Sequence, residues 1–304
     1  MTVQLEGSLD PNRATPRARG PIVVGHDGTD RGDDAIALAG VLADLLGASI
    51  DVVCVHPYAP LSARVGGDGW AAMNATEARS ALDRARERLG GREGVTFRRI
   101  PASTPALGLD LAAEESDAEL IVVGSTGRCT LGRLFAGTTA EQLCTHTNRL
   151  VAVAPSAYAR RRPAGDVIGV AYDDARHSRA ALDFAVRLTT GTRTALRVIG
   201  AFDPAAYDGQ ANERTYGAPP GVEAARDWVR RRLDKVTRGL PNAEALLLEG
   251  RPAVALAEAT AGVDILVMGS HGRGTLRRAL LGTVSSAVVD RARCPVVVVP
   301  RGAA

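Results

Sequence analysis

VMGSHGRGTLRRALLGTVSSAVVD, Val267 to Asp290, has a diluted copy earlier in the same chain: VVGSTGRCTLGRLFAGTTAEQLCT, Val122 to Thr145. Their opening glycines, Gly124 and Gly269, stand 145 residues apart. A period of that size is one whole domain, not one unit of a solenoid. Asp27 and Asp173, each closing an apolar run (PIVVGHD and VIGVAYD), keep nearly the same spacing, so the register holds from one end of each repeat to the other.

Working outward, both repeats alternate short apolar runs with segments of helical period. In the first, PIVVG, IDVVCVH, VTFRRI, ELIVVG and RLVAVA read as strands. Between them Asp33–Leu46, Ala71–Leu89, Thr104–Ser116 and Thr138–His146 read as helices, with Thr104 as cap and Pro105 at the first helical position. In the second, VIGVAYD, ALRVIGAF, EALLLEG, DILVMG and CPVVVVP are strands. Its helices are SRAALDFAVRLTTG, Gly221–Arg238 and Pro252–Thr260, and the glycine loop leads into a last one. Apolar runs too continuous to be half exposed imply parallel sheets covered on both faces. The expected layout is a disordered tail over 1–19, one domain over 20–154, a linker over 155–165 and a second domain over 166–301. The last strands, RLVAVA and PVVVV, are expected to join the repeats as an internal pseudo-dimer.

Composition excludes several classes. With 304 residues and 45% hydrophobic content the chain can fill two cores. Its net charge of +3, from 37 basic and 34 acidic residues, singles out neither nucleic acid nor an anionic membrane as partner. No apolar run approaches the roughly 20 residues that span a bilayer, and the N-terminus lacks the apolar core of a signal peptide, so a cytoplasmic protein is expected. Cys54, Cys129, Cys144 and Cys294 form neither a CxxC pair nor a regular framework. Three of them read as packing residues; Cys129 falls in the glycine loop. The histidines, 26, 56, 146, 177 and 271, lack metal-ligand spacing and read as surface or turn residues. Trp228 and Trp70 read as packing residues, and Arg230, Arg231 and Arg232 as a solvated helix face.

The chemistry sits after the fourth strand of each repeat. There the chain spells G-x-x-G, nine residues, then G-[ST]: Gly124, Gly127, Gly137, Thr138 and Gly269, Gly272, Gly282, Thr283. In an open parallel sheet, ligands sit beyond the carboxyl ends of the strands where the order reverses. Glycine lets backbone amides approach an anion, and the helix start that follows favours phosphate through its N–H groups and dipole. Arg128 and Arg133 accompany one copy, Arg273, Arg277 and Arg278 the other. One such loop alone has a structural reading, since tight turns need glycine; two copies with identical spacing favour nucleotide or phosphate binding. Asp27 and Asp173 have an equally plain reading as turn formers.

These motifs, over about Pro21 to Pro300, make the chain similar to tandem universal stress proteins. The resemblance implies two Rossmann-like domains of the adenine-nucleotide α-hydrolase type, each an open five-stranded parallel sheet with helices on both faces. It implies ATP binding, with or without Mg, since members with this signature bind ATP whereas members lacking it generally do not. By position, Gly269, Gly272, Gly282, Thr283 and Ser285, with Arg273, would hold ribose and phosphates in the second repeat, and Asp173 would face adenine and ribose. Gly124, Gly127, Arg128, Gly137, Thr138 and Asp27 would do so in the first. Residues at the end of the second strand, near Val55 and Ile199, would flank the base. A homodimer is also implied. Two departures stand out: Ala140 replaces Ser285, and the second turn reads Tyr172, Asp173, Asp174, whose extra carboxylate would repel phosphate or help hold magnesium.

No GxxxxGK[ST] loop precedes the single lysine, Lys235, which excludes a P-loop NTPase. No Ser-His-Asp or Cys-His order with a nucleophile elbow occurs either. The expected function is an ATP-binding regulator of stress responses. The alternatives are a slow ATPase at the same sites and an interaction module that binds no nucleotide.

Overall fold

The computed structural model describes residues 20–57, 67–125, 139–161, 164–207, 221–270 and 282–300, without side-chain detail for 67–75 and 206. The signature residues Gly127, Arg128, Gly137, Thr138, Gly272 and Arg273, and Cys129 and His271, lie outside them.

The first repeat runs β1 (Ile22–Gly25), α1 (Asp30–Leu46), β2 (Ile50–Pro57), α2 (Gly67–Leu89), β3 (Val95–Ala102), α3 (Pro105–Glu115), β4 (Leu120–Gly124), α4 (Thr139–His146) and β5 (Leu150–Ala154). The second runs β6 (Val167–Ala171), α5 (Arg176–Thr189), β7 (Ala195–Phe202), α6 (Val222–Thr237), β8 (Ala243–Glu249), α7 (Pro252–Ala259), β9 (Ile265–Gly269), α8 (Thr283–Arg291) and β10 (Val296–Val299). All ten strands join in one sheet, in the order β3-β2-β1-β4-β5-β10-β9-β6-β7-β8. Pairing is parallel within each repeat and antiparallel at the single joint, where Val296, Val297 and Val298 face Val153, Ala152 and Val151. The expected joining of the last strands is thus observed.

Side chains alternate between two cores. Ile22, Val24, Val52 and Val122 point toward α1 and α2, and their counterparts Ile168, Val170, Val198 and Val267 toward α5 and α6. Val23, Val53, Ile121, Leu266 and Met268 point the other way, toward α3, α4, α7 and α8. Each core crosses the joint: Ala152 and Val297 lie in one, and Val151, Val153, Val296 and Val298 in the other. A fully buried Leu such as Leu38 or Leu42 contributes on the order of 1.5–3 kcal/mol relative to exposure, so the helices are held mainly by this packing.

Several elements differ from expectation; α2, for one, begins at Gly67 and not at Ala71. Helix α1 begins at Asp30, three residues before the expected Asp33, because Asp27 holds the turn in front of it and the first turn tolerates Gly32. The linker is also more than a spacer. Ala157 takes a left-handed φ of 61°, Tyr158–Arg160 forms a 3-10 turn, and Tyr158 is buried. The carboxylate of buried Asp34 on α1 clamps that turn, accepting from the amides of Ala157 at 2.9 Å and Ala159 at 2.7 Å.

Candidate functional site

The strand order within each repeat reverses between β1 and β4, and again between β6 and β9, which is where an open sheet leaves a crevice. The last β1–β4 pair, Val24↔Val122, lies three residues before Asp27 and Ser125, and the last β6–β9 pair, Val170↔Val267, three residues before Asp173 and Ser270. Both aspartates are exposed at these strand ends. Each also shapes its turn. Asp27 Oδ1 accepts from the Thr29 amide at 3.1 Å and hydroxyl at 2.5 Å, and Asp173 Oδ1 accepts from the Ala175 amide at 3.0 Å. The turn-former reading therefore holds for one oxygen of each carboxylate.

Gly124 and Gly269 end β4 and β9, where the first turns of α1 and α5 press against them. A Cβ on Gly124 would stand 2.2 Å from the Arg31 carbonyl oxygen, and one on Gly269 would stand 2.7 Å from His177 Cβ. Both glycines therefore admit a neighbouring helix, whatever else the loop does. The loop after β9 is pinned at both ends: the Ser270 amide donates to the Val299 carbonyl, and the Gly282 amide returns to the Ser270 carbonyl at 2.8 Å. This sets Gly282 and the exposed Thr283 at the start of α8, directly over the end of β9. The first-turn amides of such a helix have no acceptor within it and carry the positive end of its dipole. Ser285 lies deeper. It is buried, and its hydroxyl donates to the Gly269 carbonyl at 2.9 Å, tying α8 to the strand. Its counterpart Ala140 is equally buried, in the core beside Leu143. Toward the ends of the second strands, Ile199 is only 1% exposed and packs in the core, while Val55 is half-buried beside Gly108.

The sequence profile of the universal stress protein family matches residues 19–155 and again residues 166–300. The chain belongs to the universal stress protein family. A universal stress protein of Mycolicibacterium smegmatis is 28% identical over 91% of this chain and 96% of its own length. One from Thermus aquaticus is 33% identical, covering 43% of this chain and 95% of its own. Among solved structures, a universal stress protein from Archaeoglobus fulgidus superposes with a TM-score of 0.67 at 20% identity, over 94% of this chain and 97% of that one. These matches fit a tandem universal stress protein with a Rossmann-like fold.

Within this universal stress protein, the residues around the two turns are not copies. In the first repeat His26 is buried, contrary to the expectation of a surface or turn histidine. Its Nδ1 accepts from the Gly28 amide at 3.2 Å, which leaves Nε2 to donate to Asp33 Oδ1, also at 3.2 Å. Gly32 makes room for the ring, since a Cβ there would lie 2.6 Å from His26 Cδ2. Burial alone would raise the Asp33 carboxyl, but donation from Arg84 and His26 and the charge of Arg88 hold it below the usual carboxylate range. Arg84 Nη2 lies 2.6 Å from Asp33 and 2.7 Å from Asp30, and Arg160 of the linker turn lies 2.6 Å from Asp30.

In the second repeat Asp174 takes the place of Gly28. Gly28 has φ +78° and Asp174 has φ +65°, the same left-handed conformation. Glycine adopts it freely; other L-residues are strained by on the order of 1 kcal/mol. The Asp174 carboxylate accepts from the Tyr172 hydroxyl at 2.8 Å and pairs with Arg179, also at 2.8 Å, and with Arg232. Arg232 lies 4.4 Å over the Trp228 ring, so it does not belong to the solvated face that Arg230 and Arg231 form. The Asp174 oxygens are thus engaged by one hydroxyl and two guanidinium groups. None of this was legible by period or motif; the one signal was Asp174 itself, a non-glycine where the first repeat has Gly28. Among the described residues no cluster of three His, Cys, Asp or Glu could hold a metal, and no helix is long and apolar enough to cross a membrane.

Proposed function

We propose that the chain is a nucleotide-dependent regulator that binds ATP, with or without Mg, at the carboxyl ends of β1 and β4 and of β6 and β9. One observation carries this reading. In both repeats an exposed aspartate stands two residues past the first strand, on the same rim as the end of the adjacent parallel strand from which the glycine signature departs, and in the second repeat Gly282 and Thr283 return to that rim at a helix start. Gly124, Gly127, Arg128, Gly137, Thr138, Gly269, Gly272, Arg273, Gly282 and Thr283 would serve the phosphates and ribose, with Asp27 and Asp173 at the base and ribose end. The Ser285 hydroxyl, turned to the Gly269 carbonyl, supports them from beneath. No described residue stands out as a general base, which favours occupancy over turnover as the signal. A homodimer of the whole chain belongs to the same reading.

Calorimetric titration of nucleotide-stripped protein with Mg-ATP tests it. Two sites per chain support both repeats, and one assigns the work to a single repeat. No heat at millimolar ATP overturns the reading in favour of an interaction module. Phosphate release measured on the same sample separates a holder of ATP from a slow ATPase.

A further inference from the structure

We propose that Asp174 is the positioning residue of the second site: it holds the turn after Asp173 in the left-handed conformation that Gly28 adopts without strain in the first repeat. The inference rests on the nucleotide reading above. The two repeats need the same turn, because Asp27 and Asp173 leave equivalent strand ends and each accepts from an amide two residues on. They reach it by unrelated means. In the first, glycine carries no strain, and the His26 ring accepts from the Gly28 amide. In the second, a residue with a side chain occupies the same backbone position, and three groups from three places hold it: Tyr172 before the turn, Arg179 on α5 and Arg232 on α6.

The arginines themselves show the rewiring. Arg84 and Arg232 each sit five residues before the end of their helices, α2 and α6. Arg84 finds its carboxylate on α1, at Asp33. In the second repeat Arg179 occupies the place of Asp33, so a carboxylate is missing from the helix and reappears at the turn as Asp174. The charge pattern is preserved while the acid moves to the residue adjoining Asp173. A carboxylate already shared by two guanidinium groups and a hydroxyl acts on the ligand through the backbone of its neighbour, not by contact.

The experiment uses the full chain carrying Gly127→Val, so that only the second repeat reports, and titrates Mg-ATP into Asp174→Ala, Asp174→Asn and Asp174→Gly. If Asp174 positions the turn, alanine, with neither latch nor left-handed preference, weakens binding about tenfold or more, a change of roughly 1.4 kcal/mol. Glycine, which regains the conformation without the carboxylate, rescues most of that loss, and asparagine falls between them. Equal weakening by alanine and glycine overturns the proposal, because the carboxylate itself would then contact ligand or metal. Unchanged affinity in all three, with only thermal stability altered, overturns it as well. Heat in the wild type that vanishes with Gly127→Val alone shows that the second repeat is not a site and overturns the proposal while sparing the nucleotide reading. No heat in the wild type overturns both.

Discussion

Arg187, on α5 of the second repeat, grips Glu119, at the foot of β4 in the first, with both terminal nitrogens, Nη2 reaching Oε2 at 2.7 Å. Both side chains are less than a quarter exposed, and the guanidinium also lies over the Phe184 ring at 5.5 Å. Donation to Glu119 raises the affinity of Arg187 for its proton, outweighing the cost of burial. It is a two-point ion pair between the repeats.

Breaking that link should loosen the two halves as a unit. Arg187→Ala should cost about 1–3 kcal/mol, because it strands a half-buried carboxylate. The double variant Arg187→Met with Glu119→Gln should recover part of the loss. Urea unfolding curves decide it, and a broadened or biphasic transition in Arg187→Ala would identify the pair as the source of cooperativity between repeats.

Acid should act on the first repeat through Asp33. Its folded-state carboxyl is held below the ordinary value, so the unfolded chain binds the proton more tightly. The stabilisation is complete above the ordinary carboxylate value of about 4 and disappears as pH falls through the lower, folded value. Asp33→Asn should therefore lower the Tm clearly at pH 7 and progressively less as the medium is acidified below about pH 4. A constant gap across that range would show that Asp33 contributes by shape alone.

The two opening glycines of the signature should prove structural before any ligand is added. Gly124→Ala should destabilise by about 3 kcal/mol, at the upper end of overpacking costs, because the added carbon meets backbone. Gly269→Ala should cost less, about 1–2 kcal/mol, since the nearest atom is the His177 Cβ. Thermal unfolding of ligand-stripped protein measures both, and equal, negligible effects would return these glycines to a role in ligand contact only.

Thiol reactivity should be low in the native state. Cys54, Cys144 and Cys294 are buried, and desolvation pushes their thiols up to about 11, 12 and 12. Of the four cysteines, at most Cys129 should react with a thiol reagent at pH 8, against all four in denaturant. Rapid reaction of two or more would reveal opening of a core that the sheet otherwise seals.

Much of this was legible beforehand, and for physical reasons. Strands with apolar residues on both faces, Thr104 capping α3 through the Leu107 amide, and Gly47 closing α1 all follow from local chemistry. What escaped depends on partners distant in sequence. His26 looks like a turn residue until α1 folds over it, although the missing side chain at Gly32 was a trace of that contact. Arg232 looks solvated on a charged helix, since its acid, Asp174, lies on the far side of β7. The linker's arginines and prolines suggested a spacer, but its docking depends on Asp34, more than a hundred residues earlier.

The antiparallel joint of β5 with β10 has a geometric outcome for the two proposed sites. Because the halves of the sheet run in opposite senses, the carboxyl ends of β1 and β4 open on one rim and those of β6 and β9 on the other. A molecule seated in one crevice cannot touch a molecule seated in the other, and a flat partner can read only one rim at a time. If both crevices serve as proposed, a partner that answers to both must embrace the whole sheet or come as two.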